Sequence, residues 1–309
     1  MVPATMAGER VIGVDLGGTK ILSGLIGRDG RIERRYEIPT PLDSQEGVLA
    51  GLDEAVDELL DGEVVALGFG IPSTIDQRRG VAIGSVNVPL HDVPFRDRMH
   101  ERFQLPVGID NDANAAAIAE WKVGAGEGTD DMVMLTLGTG VGGGVISGGR
   151  PLRGSVGAAA ELGHMVLEYN GPLCQGVCTG RGHLEALASG SAATIAAQEA
   201  FGPAVDAHRL VRLANDHDET ALAILTEIGR KLGAAIGSLV NIFDPELVVV
   251  GGGFGAAAQD YLLGPAREIM VREALEPGRH SARIVPGELG SSAGLIGAGF
   301  VAFEALDPS

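Results

Sequence analysis

The chain has 309 residues and a mass of 31.7 kDa, a length that at roughly 150 residues per domain indicates two domains. With 45% hydrophobic and 21% charged residues it has an ordinary globular composition, which excludes wholesale disorder. Its 41 acidic and 23 basic residues give a formal charge of −18, which sets most of the surface against duplex DNA and anionic lipid, leaving only a local basic pocket for a small anion. The 48 glycines follow no Gly-x-y period, so collagen is excluded, and they gather instead in a few short runs. Cys174 and Cys178 are too few for a disulfide framework. The opening MVPATMAGER lacks an apolar signal core, and no transmembrane-length apolar run occurs. A soluble, cytoplasmic protein is expected, with neither nucleic acid nor membrane as partner.

In chain order, Val11–Leu16 and Ile21–Ile26 are apolar runs joined by Gly17-Gly18-Thr19-Lys20, the pattern of a β-hairpin. A turn at Gly27–Gly30 leads into a third antiparallel strand, Arg31–Ile38. Residues 44–61 carry Val48, Leu49, Leu52, Val56, Leu59 and Leu60 at helical spacing. Val64–Phe69 reads as a buried strand ending in Gly70-Ile71-Pro72, and Val107–Ile109 as a short strand ending in Asp110-Asn111-Asp112 before an Ala-rich helix. Met132–Leu137, the turn Gly138-Thr139-Gly140 and Val141–Ile146 then repeat the first strand–glycine turn–strand unit about 120 residues later, the mark of a duplicated fold. An irregular Gly/Cys/His stretch (154–183) follows, then helices at 183–200, 206–215 and 219–243, and a strand Glu246–Val250 running into Gly251-Gly252-Gly253. A helix at 256–276, a strand at 282–285 and a terminal helix near 291–306 finish the chain. The expected division is a small lobe, 1–118, rejoined by C-terminal residues 298–309, and a large lobe, 119–297.

Asp15-x-Gly17-Gly18-Thr19-Lys20 after a strand has the makings of a phosphate loop, because glycine lets backbone N–H groups approach oxygens closely while Thr19 and Lys20 add donors and charge. It has neither Walker spacing nor a dinucleotide fingerprint, and alone it reads equally well as a tight hairpin. Thr136-x-Gly138-Thr139-Gly140 repeats the chemistry, and Gly251–Gly253 adds a third glycine turn after a strand. Three such loops fit a nucleotide held between two lobes, and this strand–loop–strand pattern resembles the actin, hexokinase and heat-shock ATPase superfamily. That likeness implies an α/β, ribonuclease H-like fold with its active site in a cleft between the lobes.

Asp110–Asn114 places four amides or acids at a strand-to-helix junction where helix capping needs one. A carboxylate there, Asp112, suits removal of a proton from an alcohol attacking a phosphoryl group. Cys174-x₃-Cys178-x₄-His183, with His164 as a fourth donor, makes a Cys₂His₂ set for a structural zinc ion. Glu161 and Glu185 flank it, and paired carboxylates accept from adjacent sugar hydroxyls.

Together DLGGTK (15–20), NDANAAAIAE (111–120), TLGTGVGGG (136–144), GAAAELGH (157–164) and NIFDPELVVVGGG (241–253) resemble the ROK family (repressor, open reading frame, kinase), and within it the bacterial glucokinases. The resemblance spans nearly the whole chain. It implies an ATP-dependent kinase phosphorylating the 6-hydroxyl of a hexose, glucose first, with Asp112 as general base. Gly70, Pro72, Asn87, Asn111, Glu161, His164 and Glu185 would line the sugar site. Asp15 would orient hydrated Mg²⁺; Gly17, Gly18, Thr19, Lys20, Thr136, Gly138, Thr139 and Gly140 would cradle phosphates; and Gly252 and Gly253 would lie along the adenosine. A homodimer or homotetramer is the assembly it implies.

Two departures stand out. The family's metal segment C-x-C-G-x-x-G-C-x-E, anchored on Glu185, has Gly176, Cys178 and His183 at its cysteine positions, so Cys174 would have to serve through a longer loop. The family's G-x-P-G turn reads Gly70-Ile71-Pro72-Ser73. The rival readings are a kinase for N-acetylmannosamine, N-acetylglucosamine or fructose, polyphosphate as donor, an actin-type ATPase scaffold, and a sugar-sensing ROK repressor. The last would need a helix-turn-helix domain ahead of a first strand that begins by about residue 10.

Overall fold

The computed structural model describes residues 8–85 and 87–307; residues 308 and 309 of the expected C-terminal return, and part of the N-terminal stretch, lie outside them. The chain divides into two compact units: the described residues of Met1–Val123, Leu152–Ala159 and Ser292–Ser309, and those of Gly124–Pro151 and Ala160–Ser291.

The first unit opens with β1 (Arg10–Leu16), β2 (Lys20–Gly27) and β3 (Ile32–Pro39), followed by α1 (Gln45–Asp57) and β4 (Val64–Ile71). Ser44 caps α1 by accepting from Gly47 N at 3.0 Å, and Val48, Leu49, Leu52 and Val56 form its buried stripe. The helix stops four residues short of the expected 61, although Leu59 is still buried in the turn beyond it. Next come β5 (Thr74–Asp76), β6 (Val81–Gly84), β7 (His91–Val93) and α2 (Phe95–Phe103), which sequence periodicity did not reveal. The strands are three or four residues long, too short for an alternation to register. Then β8 (Val107–Asn111) leads directly into α3 (Asp112–Val123).

The second unit carries β9 (Met132–Leu137), β10 (Val141–Ser147), β11 (Arg150–Pro151), α4 (Leu184–Ala188), α5 (Gly190–Phe201), α6 (Ala207–Asn215), α7 (Glu219–Phe243), β12 (Leu247–Gly251), α8 (Gly253–Glu273), α9 (Gly278–Ser281) and β13 (Arg283–Pro286). The helix expected over 183–200 is two helices. Ser189 is extended (φ −85°, ψ 172°) and its side chain caps α5 through Ala192 N at 3.1 Å, so the backbone cannot run through it. The chain ends in α10 (Ala293–Leu306) of the first unit. No helix among the described residues is long and apolar enough to cross a membrane.

The two main sheets have one topology. Their orders, β3-β2-β1-β4-β8 and β11-β10-β9-β12-β13, both place an antiparallel three-strand meander beside two parallel strands. This is the duplication expected from the two strand–glycine–strand units.

In the first unit Gly24, Gly13, Gly68 and Gly108 stand in one register row across four strands. A Cβ at Gly68 would lie 1.9 Å from Ala298 O, and one at Gly108 2.1 Å from Val301 O. The bare row therefore lets the backbone of α10 rest directly on the sheet, an approach that no side chain would permit.

Candidate functional site

In the first unit the candidate side chains sit at the carboxyl ends of β1, β4 and β8, where open parallel sheets expose their loops. Asp15, Gly70 and Asp110 are paired in one register row, and Ile71 pairs with Asn111 one step on. Asn111 takes the capping duty of α3: its Oδ1 accepts from Ala113 N at 2.9 Å and Asn114 N at 3.3 Å. Its Nδ2 faces Ser73 O at 3.4 Å. Asp112 occupies the first helical turn, with Oδ1 2.9 Å from Ala113 N. Asp15 is only partly covered as a residue, yet its carboxylate is desolvated. That desolvation, and secondarily the charge of Asp112, push it up to about 7, while Lys20 pulls the other way. Two carboxylates that oppose each other's ionisation suit a neighbouring divalent cation, which reverses the penalty.

The Gly17–Lys20 turn closes through Gly17 N to Lys20 O at 2.9 Å and is tied to Thr40, whose Oγ1 donates to Gly17 O at 2.7 Å and whose N donates to Thr19 O at 3.1 Å. Thr19 and Lys20 are exposed, and the Lys20 ammonium pairs with Glu37 at 2.8 Å. Exposed Asn87 lies beside Gly18, at 3.8 Å from the position a Cβ would take. Pro72 is half-buried at the end of β4. The Ser73 hydroxyl is committed to Gly84 O at 2.8 Å, so the serine that replaces the family glycine stiffens this turn.

In the second unit Thr136 pairs with Gly142 and Gly251 at the carboxyl end of β9. The Gly138–Gly140 turn is closed by Gly138 N to Gly140 O at 2.9 Å and braced by Gly190 N to Gly138 O (2.8 Å) and Ser191 N to Thr139 O (3.2 Å). Gly252 adopts φ +82°, and a Cβ there would meet Leu137 O at 2.5 Å. That conformation lets β12 turn sharply into α8 at Gly253. Above this turn lies a cavity of about 430 Å³ lined by Gly138, Thr139, Ser191, Thr194, His208, Gly253 and Phe254, within the size range of small-molecule sites. Ser191, Thr194, His208 and Phe254 were not foreseen. The readable signal was indirect: Ser189 and Asp206 are good helix N-caps, and Ser191, Thr194 and His208 follow them at the starts of α5 and α6, while Phe254 follows the glycine turn into α8.

His164, Cys174, Cys178 and His183 converge, with all four ligand atoms within 4.8 Å of one another. His164 Nδ1 lies 3.2 Å from His183 Nδ1, and each histidine nitrogen is 3.6 Å from a cysteine sulfur, Cys174 for His164 and Cys178 for His183. Tetrahedral zinc, with Zn–S of about 2.3 Å and Zn–N of about 2.0–2.1 Å, requires N···N of about 3.3 Å and N···S of about 3.6 Å. These three separations match those of a tetrahedral zinc site. Burial above all, tempered by the Gln175 backbone and aided by Cys178 and Glu185, pushes the Cys174 thiol up to about 11, so a thiolate there needs a cation. Gly176, at the family's first cysteine position, is a positive-φ turn residue, and the loop carries Cys174 into the missing place.

Glu185 joins this cluster to the glycine turn: Oε2 accepts from Val141 N at 2.9 Å and Oε1 faces Cys174 Sγ at 3.6 Å. Glu161 is exposed and heads the short turn that delivers His164, its carbonyl accepting from His164 N at 3.1 Å.

A model of the ROK family matches residues 11–304. The chain belongs to the ROK family. It is 37% identical to a glucokinase of Thermotoga maritima over 96% of this chain and 98% of that one. It is 33% identical to an N-acetylmannosamine kinase of Shigella flexneri over 94% of this chain and 98% of that one. Among solved structures, a ROK-family glucokinase from Streptomyces griseus in complex with glucose and AMPPNP superposes with a TM-score of 0.83 at 34% identity, covering 96% and 99% of the two chains.

Proposed function

We propose that this ROK-family sugar kinase transfers the γ-phosphoryl group of ATP to the 6-hydroxyl of glucose, giving glucose 6-phosphate. The observation that carries the reading is the junction of β8 and α3. Asn111 does the capping there, and the adjacent Asp112 has a charge that reaches Asp15 at the end of β1, two strands away in the sheet. On this reading Asp112 accepts the proton of the 6-hydroxyl as its oxygen attacks phosphorus. Asn111, Glu161, His164 and Glu185 hold the other hydroxyls, and Asn87, Gly70 and Pro72 shape the sugar site.

The main-chain N–H groups of Gly17–Lys20 and Gly138–Gly140 orient the phosphates, and the cavity beside Gly252 and Gly253 takes the adenosine. Asp15 orients hydrated Mg²⁺, which when bound neutralises charge on the transferring group. His164, Cys174, Cys178 and His183 would hold a structural zinc ion, which would fasten the loop that presents Glu185. The protein acts in the cytoplasm as a homodimer or homotetramer, an assembly that light scattering of the purified protein checks.

The test is ADP formation from Mg·ATP against a panel of sugars, each with a sugar-free blank. Turnover highest with glucose supports the reading. Turnover highest with N-acetylmannosamine, the substrate of a relative at 33% identity, keeps the mechanism and changes the sugar. ADP release independent of sugar overturns the reading in favour of an ATPase scaffold, and activity with polyphosphate alone changes the donor.

A further inference from the structure

Asp110, at the β8–α3 junction, neither caps the helix nor faces the proton transfer, and its side chain is 1% exposed. A carboxylate so enclosed is costly unless fully partnered. Its Oδ1 accepts from Asn111 N at 2.8 Å and from Asn114 Nδ2 at 3.1 Å, the residues on either side of Asp112 and Ala113. Its Oδ2 accepts from Arg153 Nε at 2.6 Å, and the same guanidinium donates through Nη2 to Glu304 on α10 at 2.6 Å.

Arg153 comes from a distant part of the chain. It lies on Leu152–Ala159, the excursion that leaves the second unit after β11 and packs in the first. That excursion is itself seated firmly. Ala159 N donates to Arg153 O at 3.2 Å, and a Cβ at Gly157 would stand 1.9 Å from Ile75 O. The guanidinium fork thus ties together the excursion, the terminal helix and the hydrogen-bond ring that brackets Asp112.

We propose that Arg153 is a positioning residue for Asp112: by bridging Asp110 to Glu304 it sets the orientation of the first turn of α3 from which Asp112 reaches the sugar hydroxyl. The proposal rests on the kinase reading above. A lysine keeps the charge but has no planar fork to serve both carboxylates at once, so the geometry is separable from the electrostatics.

The experiment compares wild type, Arg153→Lys, Arg153→Ala and Glu304→Gln, each alone and with Asp112→Asn. It measures kcat, KM for both substrates, and amide hydrogen exchange over residues 108–116. Arg153→Lys is expected to lower kcat at least about 10-fold with KM for ATP unchanged and to speed exchange in 108–116. In the Asp112→Asn background it should lower kcat no further. Arg153 is one-quarter exposed, so millimolar guanidinium should restore part of the loss in Arg153→Ala and none in Asp112→Asn.

An undiminished kcat in Arg153→Lys, or an equal further loss without Asp112, overturns the proposal. Unchanged exchange over 108–116 does the same even if no sugar is turned over. Equal turnover by wild type and Asp112→Asn instead sinks the role given to Asp112, and no sugar-dependent turnover by wild type sinks the kinase reading, leaving the exchange result to decide the clamp.

Discussion

Replacing Asp15 by asparagine should stabilise the nucleotide- and metal-free protein while abolishing its catalysis. The carboxylate has its pKa raised from 3.8 to about 7 by desolvation first and Asp112 second. Because the folded pKa is the higher one, the folded state holds a proton that the unfolded state releases between these values. Stability contributed by this group is therefore present below the unfolded value and falls as pH rises towards 7. At about 1.4 kcal/mol per pH unit, the carboxylate costs about 2 kcal/mol at pH 5 and about 4 kcal/mol at pH 8. Asparagine mimics the protonated acid without titrating. The assay is urea unfolding in EDTA of wild type and Asp15→Asn at pH 4, 5 and 8. The variant's advantage should be near zero at pH 4 and grow with pH, and Mg·ATP should narrow it by stabilising wild type alone. An advantage that does not change with pH, or a variant less stable than wild type at pH 8, would refute the reasoning.

Purified protein should hold close to one zinc per chain by elemental analysis, and Cys178→Ala, which removes one of four donors, should lose at least about 90% of it and bind sugar more weakly; full zinc in that variant contradicts the ligand set. Gly68→Ala places a methyl 1.9 Å from Ala298 O, and thermal or urea unfolding should show a loss of more than about 2 kcal/mol as α10 is pushed from the sheet. Ala257→Trp fills the cavity of about 430 Å³ from the exposed start of α8, and steady-state kinetics should show KM for ATP raised at least about 10-fold with KM for sugar unchanged.

Elements with strong local signals were legible in the sequence. Met132–Leu137 and Glu219–Phe243 coincide with β9 and α7, one a continuous apolar run and the other a long amphipathic stripe capped by Asp218. The repeated strand–glycine–strand unit foretold that both sheets share one topology, because each glycine turn closes the same antiparallel pair. What escaped reading depended on contacts distant in sequence. The strands of Thr74–Val93 are too short to show a period, and the glycine row at 13, 24, 68 and 108 has meaning only once four strands stand in register under α10. At the site, residue types singled out the candidate junction but not how its residues divide between capping and burial. The Asp110–Asn114 run announced a special junction, yet only coordinates separate Asn111 the cap from Asp110, whose partner Arg153 is 43 residues away. The Cys and His residues likewise pointed to a candidate metal set, but that Cys174 joins the cluster past Gly176 follows from the loop's path.

The most direct test of the account is kcat for glucose phosphorylation by Asp112→Asn, with glucose affinity measured independently by titration. A general base at the end of β8 predicts a loss of at least about 10²-fold in kcat with glucose still bound. A variant that keeps wild-type kcat would contradict the role given to Asp112.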